Sequence, residues 1–147
     1  MYKLARGFTL IELLVVISII GILATLVSAN LNSARGRARD ASRKSDIRNI
    51  ATALRLYYND KNSYPVGTYF DSLWGLPWTD TGVTYMSKLP GDPLSDQTYK
   101  YEVGADGNSY TLSACLENSS DAQGVSAAAS PYDVWCPTTK WMFQIKQ

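Results

Sequence analysis

The chain has 147 residues, of which 46% are hydrophobic and 18% are charged, and its formal net charge is +1. This length suits one domain with an extension outside its core, and so small a net charge does not indicate nucleic acid or an acidic ligand as partner. The sequence contains no histidine, which removes the commonest general base and the commonest metal ligand. No nucleophile–base, metal-ligand or phosphate-loop pattern is present, so we do not expect an enzyme.

At the N-terminus, basic residues precede a long apolar run. Lys3 and Arg6 come first, and the 22 residues from 13 to 34 carry no charge. A helix of that length spans about 33 Å, enough to cross the hydrocarbon core of a bilayer. By the positive-inside rule, the N-terminus stays in the cytoplasm and the remainder of the chain lies outside. Because the run is apolar on every helix face, we expect it in lipid or in a bundle of helices.

Glu12 is the one acid near this apolar run. An ionised carboxylate close to lipid costs about 3 kcal/mol on insertion scales, so it requires protonation or a cationic partner. Cleavage after Gly7 would remove Lys3 and Arg6 and create a new amine on Phe8. We expect that amine to pair with Glu12 of a neighbouring copy and to set the axial stagger of adjacent helices. In the alternative, Glu12 only extends to the membrane edge.

A single helix is predicted from residue 8 to about residue 59, because all six prolines follow residue 64. Asn, Asp and Ser collect at residues 59–63 and should end it. In the second half of the helix, apolar residues recur at helical spacing and form a stripe that should pack on the rest of the domain. The stripe consists of Ile47, Ile50, Ala51, Leu54, Tyr57 and Tyr58.

Charge is unevenly distributed along the chain. Residues 35–48 have a net charge of +4, whereas residues 49–147 have a net charge of −4. We expect the basic segment to pack against acidic surfaces of neighbouring copies, over distances within a Debye length. Binding of DNA phosphates by the same side chains is the alternative. The basic residues are Arg35, Arg37, Arg39, Arg43, Lys44 and Arg48.

After the helix, the sequence favours turns and short strands. Residues 65–97 are rich in turn residues, and residues 98–103 and 109–115 flank a Gly-containing turn, which predicts an antiparallel hairpin. Residues 118–131 should form a loop, and residues 140–145 a last strand. The predicted fold class is α+β, with a small antiparallel sheet packed on the C-terminal half of a long helix. The expected anchors over the helix are Trp74, Trp78 and Tyr85.

Two cysteines, Cys115 and Cys136, enclose 20 residues near the C-terminus. An even number of cysteines in an exported domain predicts a disulfide, and closing such a loop stabilises a fold by about 3 kcal/mol in the chain-entropy account. The alternative is a pair of free thiols in a cytosolic protein. The N-terminal export signal argues against that alternative.

Residues 6–12 read Arg-Gly-Phe-Thr-Leu-Ile-Glu and resemble the processing motif of type IV pilins and of type II secretion pseudopilins. In that family a prepilin peptidase cuts after the glycine and methylates the new N-terminal phenylalanine. The resemblance covers residues 1 to about 60. It implies cleavage after Gly7, methylation of Phe8, and a role for Glu12 as the acid required for assembly.

The resemblance also implies three segments and a set of partners. Residues 1–7 are expected to be a leader peptide, residues 8–34 a transmembrane helix that becomes the filament core, and residues 35–147 the head domain. The expected partners are further copies of the chain, the prepilin peptidase, the inner-membrane assembly platform and, before assembly, the lipid bilayer. We therefore expect the chain in the cytoplasmic membrane with its head outside, and afterwards in an extracellular filament.

Two features bear on which filament the chain forms. Residues 85–93 and 99–101 resemble a loop and the first strand of the major pseudopilin, whereas a disulfide-bounded C-terminal loop is more typical of pilins. Our main interpretation is a structural subunit of a type IV pilus or related filament. The alternative is a major-pseudopilin-like subunit of a type II secretion system.

The major pseudopilin also binds calcium in a loop beyond this point. Hard cations prefer carboxylate and carbonyl oxygens, and side chains of that kind occur here. Their spacing matches no calcium-ligand pattern, so we expect a solvated acidic loop and no cofactor, with calcium as the alternative. The candidates are Glu117, Asn118, Asp121 and Asp133.

An ordinary secreted domain is a more remote alternative. Lys3 and Arg6 would then form the basic region of a signal peptide, and residues 27–29 (Val-Ser-Ala) would precede the cleavage site. Glu12 next to the apolar run and the unbroken helical pattern beyond it argue against this alternative. The mature chain would begin at Asn30 if the alternative were correct.

Overall fold

The computed structural model describes residues 7–126, 135–136 and 141–147, and the chain divides into two compact units, Met1–Arg35 and Gly36–Gln147. One helix, α1 (Leu10–Lys61), runs through both units. The described part of the second unit adds a short helix, α2 (Gly67–Asp71), and six strands. These are β1 (Trp78–Asp80), β2 (Val83–Met86), β3 (Lys100–Val103), β4 (Tyr110–Cys115), β5 (Val125–Ser126) and β6 (Trp141–Lys146).

Helix α1 confirms the predicted long helix, with each end shifted by two residues. At its C-terminus, Asn62 adopts a left-handed φ of 54° and its N–H donates to the carbonyl oxygen of Tyr58 at 2.8 Å. A left-handed asparagine after the last helical residue is a common helix stop, and Pro65 follows shortly. The predicted cluster of Asn, Asp and Ser therefore ends the helix where the sequence indicated.

In the first unit, the described apolar side chains of α1 are exposed, from Leu10 at 81% to Leu31 at 44%. By length and composition, the helix contains a segment apolar enough to cross a membrane. Exposed leucine, isoleucine and valine on every helix face require either lipid or other helices to cover them.

In the second unit, α1 supplies one wall of the hydrophobic core. Ile47, Ile50, Ala51 and Leu54 are buried, as the predicted stripe required, while Tyr57 and Tyr58 are partly buried against the same core. This confirms the helical periodicity of the stripe. The sheet side of the core includes Tyr101, Tyr110, Leu112, Ala114, Leu116 and Phe143.

Strands β3 to β6 form an antiparallel sheet in the order β3-β4-β6-β5. Leu112 at the middle of β4 pairs with Tyr101 on one side and with Ile145 on the other. The three strands predicted in the C-terminal half are therefore confirmed. The last strand in sequence is nevertheless an interior strand, because β5 adds to its outer edge through Val125 and Met142.

Four elements were not predicted from the sequence. Strand β5 lies inside the segment predicted as loop, and residues 127–134 of that segment lie outside the described residues. Helix α2 and the β1–β2 hairpin lie in the segment predicted to contain only turns. The hairpin turns through Thr81 and Gly82, which have φ values of 47° and 84°. Two positive φ values fit a tight hairpin turn, but Thr-Gly is a weaker signal for it than Asn-Gly or Asp-Gly.

Aromatic rings hold this middle region on α1. The Trp78 ring centroid lies 4.9 to 5.3 Å from those of Phe70, Tyr85 and Tyr57, the last of which belongs to α1. Trp78 and Tyr85 are buried and Trp74 is partly buried, as expected for anchors. Offset and edge-to-face pairs of this kind contribute about 0.5–1.5 kcal/mol each beyond their buried area.

The predicted disulfide is present. Cys115 at the end of β4 is bonded to Cys136, and their Cα atoms are 5.5 Å apart. Both cysteines are buried together with Met142 of the neighbouring strand β6. The bond therefore ties the end of the enclosed loop to the interior of the sheet.

We predict that Leu54→Ala lowers the free energy of unfolding by about 2–5 kcal/mol, because it leaves a cavity in the core. Leu56→Ala is the matched control, since Leu54 is 0% exposed and Leu56 is 52% exposed two residues further along the same helix. The control should change stability by less than about 0.5 kcal/mol. Urea unfolding of the full-length protein in detergent, followed by tryptophan fluorescence, measures both. Equal losses in the two variants would contradict the assignment of the core.

Candidate functional site

The predicted cleavage site lies just before α1. Gly7, Phe8 and Thr9 are not helical, and the Phe8 side chain is 82% exposed. No described atom lies within 4 Å of the position that a Cβ on Gly7 would take. Within the described residues, packing therefore does not require glycine at this position.

Glu12 caps the N-terminus of α1 together with Thr9. The Thr9 backbone N–H and hydroxyl donate to Oε2 of Glu12 at 2.9 and 2.6 Å, and the Glu12 N–H donates to the Thr9 hydroxyl at 3.3 Å. This reciprocal arrangement is a capping box, which satisfies backbone donors that a helix start leaves open. Sequence reasoning missed it, although Thr-x-x-Glu is its recognised signature.

The capping box leaves part of the Glu12 carboxylate available. Its described hydrogen bonds all use Oε2, and none within the described residues uses Oε1. One oxygen thus stays with its own helix while the other has room for a second donor. Pairing of Glu12 with the amine of a neighbour's Phe8 stays a prediction, and Lys3 and Arg6 lie outside the described residues.

A buried arginine cluster lies in the second unit where α1 meets the end of β4; it consists of Arg39, Asp40, Arg43, Asp92 and Glu117. Arg43 is 0% exposed and donates to both oxygens of Asp92 at 2.8 and 2.9 Å. Its Nη1 also donates to Asp40 at 2.9 Å and to Glu117 at 2.8 Å. Burial by itself lowers the pKa of Arg43, but hydrogen bonds to the three carboxylates outweigh it and raise the pKa above its usual value.

Glu117 is shared between two arginines. Arg39 donates from Nε to Oε1 at 2.6 Å and from Nη2 to Oε2 at 2.5 Å, and Arg43 donates to the same Oε1. The hydrogen bonds from Arg39, reinforced by Arg43, lower the pKa of Glu117 from 4.5 to about 2 in spite of partial burial. A two-armed guanidinium–carboxylate contact of this kind is stronger and more directional than a single ion pair.

A row of side chains four residues apart on α1, Asp40, Lys44 and Arg48, binds the segment 117–124, which we call the clamped loop. The carboxylate of Asp40 accepts the backbone N–H groups of Glu117 and Asn118 at 2.9 Å each. Four residues along the helix, Lys44 donates to Asp121 at 2.7 Å, which lowers the pKa of that carboxyl. Four residues further, Arg48 donates to Gln123 at 3.1 Å. Positions four apart share one helix face, so the loop lies along that face.

Gly36 begins the same row. A Cβ at this position would lie 3.3 Å from Oε2 of Glu117, closer than ordinary van der Waals contact. A side chain at this position would therefore require the Glu117 carboxylate to move by a few tenths of an ångström. The sequence analysis did not single out this row, because its members have mixed charge and no apolar periodicity.

The structure gives the basic segment a role within its own chain that was not predicted from the sequence. Four of its six cations, Arg39, Arg43, Lys44 and Arg48, bind partners within their own chain. Much of the predicted attraction between the basic segment and the acidic remainder therefore acts within one chain. Contacts of the basic segment with neighbouring copies stay a prediction.

The calcium candidates are only partly brought together. Glu117 binds two arginines, Asp121 binds Lys44, and Oδ1 of Asn118 accepts the N–H of Ser120 at 3.2 Å. Asp133 lies outside the described residues. Within the described ranges, no three His, Cys, Asp or Glu side chains are grouped so as to hold a metal ion.

We predict that Glu117→Gln lowers the free energy of unfolding at neutral pH. The difference in this free energy between the variant and the wild type, which we call the gap, should become smaller in acid. Because the folded-state pKa of Glu117 is about 2 against an ordinary 4.5, its ionised form stabilises the fold above pH 4.5. That contribution is lost as the pH falls from 4.5 towards 2. Glu102→Gln, which removes the same charge from a pair 3.5 Å from Lys100, is the control. Urea unfolding across this pH range measures the gap; one that is constant with pH would contradict the prediction.

The sequence matches two protein families. Residues 2–28 match the family described as the prokaryotic N-terminal methylation motif, and residues 30–130 match the family described as type II secretion system protein G. The first match contains Gly7, Phe8 and Glu12, and the second contains α1 from residue 30 onward and the whole clamped loop. No solved structure matches the chain.

Curated relatives come from both kinds of filament. The type II secretion system core protein G of Escherichia coli K12 is 36% identical over 118 residues, which cover 74% of this chain and 80% of that protein. Its counterpart in Pseudomonas aeruginosa is 38% identical, with 65% of this chain and 71% of that protein covered. The type IV wide pilus major component PilA4 of Thermus thermophilus is 41% identical, with 55% and 62% covered.

These matches agree with the fold and with the motif at the N-terminus. The long apolar helix, the small antiparallel sheet and the methylation motif occur in one chain in the order that the two family matches require. The chain belongs to the type II secretion system protein G family, a family of structural subunits related to type IV pilins.

Proposed function

We propose that this chain is processed after Gly7 and assembles through its N-terminal helix into a type IV pilus or a related filament. The observation that carries the proposal is the first half of α1, whose apolar side chains are exposed on all faces with one acid, Glu12, near its start. An apolar helix with a carboxylate at its end suits a bundle of identical helices, in which each acid meets a neighbour's cation.

Processing prepares the N-terminus for this contact. A prepilin peptidase would add water across the peptide bond after Gly7, releasing residues 1–7 and leaving an amine on Phe8, which is then methylated. The exposed, non-helical conformation of Gly7 and Phe8 supports access of the peptidase to this bond. The positively charged leader, which favours retention of this end in the cytoplasm, would leave with the same cut.

Assembly would then bring the Phe8 amine of one copy to Glu12 of the next. The Thr9 donors hold one oxygen of this carboxylate, so its position is set before the neighbour arrives. Pairing neutralises both charges, which lowers the cost of moving them into the helix bundle. The lipid bilayer covers the apolar helix before assembly, with the head domain outside the cytoplasmic membrane, and the other copies cover it afterwards.

A type II secretion filament is the second candidate, and the match of residues 30–130 to protein G favours it. The disulfide-bounded loop between Cys115 and Cys136 favours a pilus. Electron microscopy of filaments sheared from cells, with mass spectrometry of their subunits, separates the two. Abundant long surface filaments made of this chain support a pilus, whereas loss of exported proteins on gene deletion without such filaments supports the secretion candidate.

We predict that the mature chain isolated from membranes begins at N-methylated Phe8. Intact-mass measurement and N-terminal peptide sequencing should show loss of residues 1–7 and gain of one methyl group. Expression in a host without a prepilin peptidase is the control and should leave the leader in place. A mature chain that begins at Asn30 would overturn the proposal and support an ordinary secreted domain.

We predict that Glu12→Gln reduces sheared filaments at least tenfold while leaving the membrane-bound subunit at its normal level. The amide retains acceptor capacity for Thr9 but cannot neutralise a neighbour's amine. Asp106→Asn, which removes one charge in the exposed β3–β4 turn, is the matched control. Quantitative immunoblots of the sheared and membrane fractions compare the two. Filament yields for Glu12→Gln equal to the control would contradict the assembly role.

A further inference from the structure

We infer that the chain's own cations, Arg39, Arg43 and Lys44, hold the clamped loop on α1, and that the described carboxylates of this loop take no divalent metal. The resemblance to the major pseudopilin implies calcium in this part of the chain. The described carboxylates have a different arrangement, in which each faces a fixed positive charge of α1. The inference concerns the second unit alone and holds for either candidate filament.

Both oxygens of the Glu117 carboxylate are already bound to cationic donors. Three guanidinium N–H groups, from Arg39 and Arg43, donate to its two oxygens. Calcium requires six to eight oxygens at about 2.3–2.6 Å, with carboxylates as the usual charged ligands. An ion at Glu117 would lie against two arginines that stay charged at every physiological pH. Repulsion from both guanidinium groups therefore opposes calcium at this carboxylate.

The oxygens of Asp121 are committed in the same way. Oδ2 accepts from Lys44 at 2.7 Å, Oδ1 accepts the N–H of Gln123 at 2.9 Å, and the backbone carbonyl accepts Nε1 of Trp141 at 3.1 Å. Gly124 lies directly against the Trp141 ring, and a Cβ there would overlap the indole. A metal ion at these oxygens would therefore have to compete with Lys44 and with the N–H donors of Gln123 and Trp141.

Charge balance leads to the same conclusion. The buried arginine cluster together with Lys44 and Asp121 holds three cations and four carboxylates, so the surplus is a single negative charge. Calcium affinity depends on the number of uncompensated ligand charges and on the rigidity of the site. One surplus charge spread over four carboxylates, each bound to an arginine or lysine, does not provide such a site. The three cationic side chains of α1 thus neutralise and hold the loop carboxylates in place of a bound ion.

The first test compares the melting temperature of the processed, full-length protein in detergent, in millimolar calcium chloride and in excess EGTA. We expect the two values to agree within about 1 °C, since nothing that binds the folded state is removed. A calcium site filled at 100 times its Kd would raise the melting temperature by about 10 °C. A calcium-dependent rise of that size would overturn the inference.

The second test asks whether Lys44 and Asp121 act as a pair. Lys44→Met and Asp121→Asn should each lower the melting temperature by about 2–5 °C, because each breaks the same partly buried ion pair. The melting temperature of the double variant should be no lower than that of the less stable single variant. Lys88→Met, which changes an exposed lysine, is the control and should melt like the wild type. Additive losses in the double variant, or a loss that calcium restores, would overturn the inference.

The two tests do not depend on filament formation. If Glu12→Gln leaves filaments intact, the proposed assembly contact fails while the melting results stand. If calcium stabilises the head, the inference about the clamped loop fails while the assembly proposal stands.

Discussion

The rest of the structure depends on one constraint: this chain cannot bury the first half of α1 within itself. About 20 consecutive uncharged and mainly apolar residues need a solvent other than water, and the only ones open to a single helix are lipid and other helices. The exposed side chains from Leu10 to Leu31 therefore form an apolar surface that the single chain leaves uncovered. The Thr9–Glu12 capping box completes the helix start in one chain and leaves a carboxylate oxygen for a partner. The proposed assembly of identical copies would meet both needs at once.

The second half of the same helix supports the head domain through two of its faces. Its apolar stripe around Leu54 packs into the core, and the row of Gly36, Asp40, Lys44 and Arg48 holds the clamped loop through ion pairs and backbone contacts. The disulfide fixes the other end of the enclosed segment to the sheet. One helix thus provides both the hydrophobic and the electrostatic support of the head. Most of the cations in its basic segment bind partners inside the chain.

Much of this was predictable from sequence because the signals are local and periodic. Proline placement, the stripe from Ile47 to Tyr58 and the two cysteines predicted the helix, its buried face and the disulfide. The hairpin at Thr81-Gly82 was not predicted, because its turn residues are a weak signal. The arginine cluster was not predicted either. Asp92 and Glu117 lie 49 and 74 residues from Arg43, and no spacing rule reports pairs so distant in sequence.

The most direct test of the central claim is a cryo-electron microscopy map of the assembled filament that resolves the first turn of α1. The account predicts a chain that starts at Phe8, with its amine within about 4 Å of Glu12 in the adjacent copy and Thr9 still bound to the other oxygen of that carboxylate. A filament in which the amine contacts only solvent or lipid, or in which Glu12 is bound solely by its own Thr9, would contradict it.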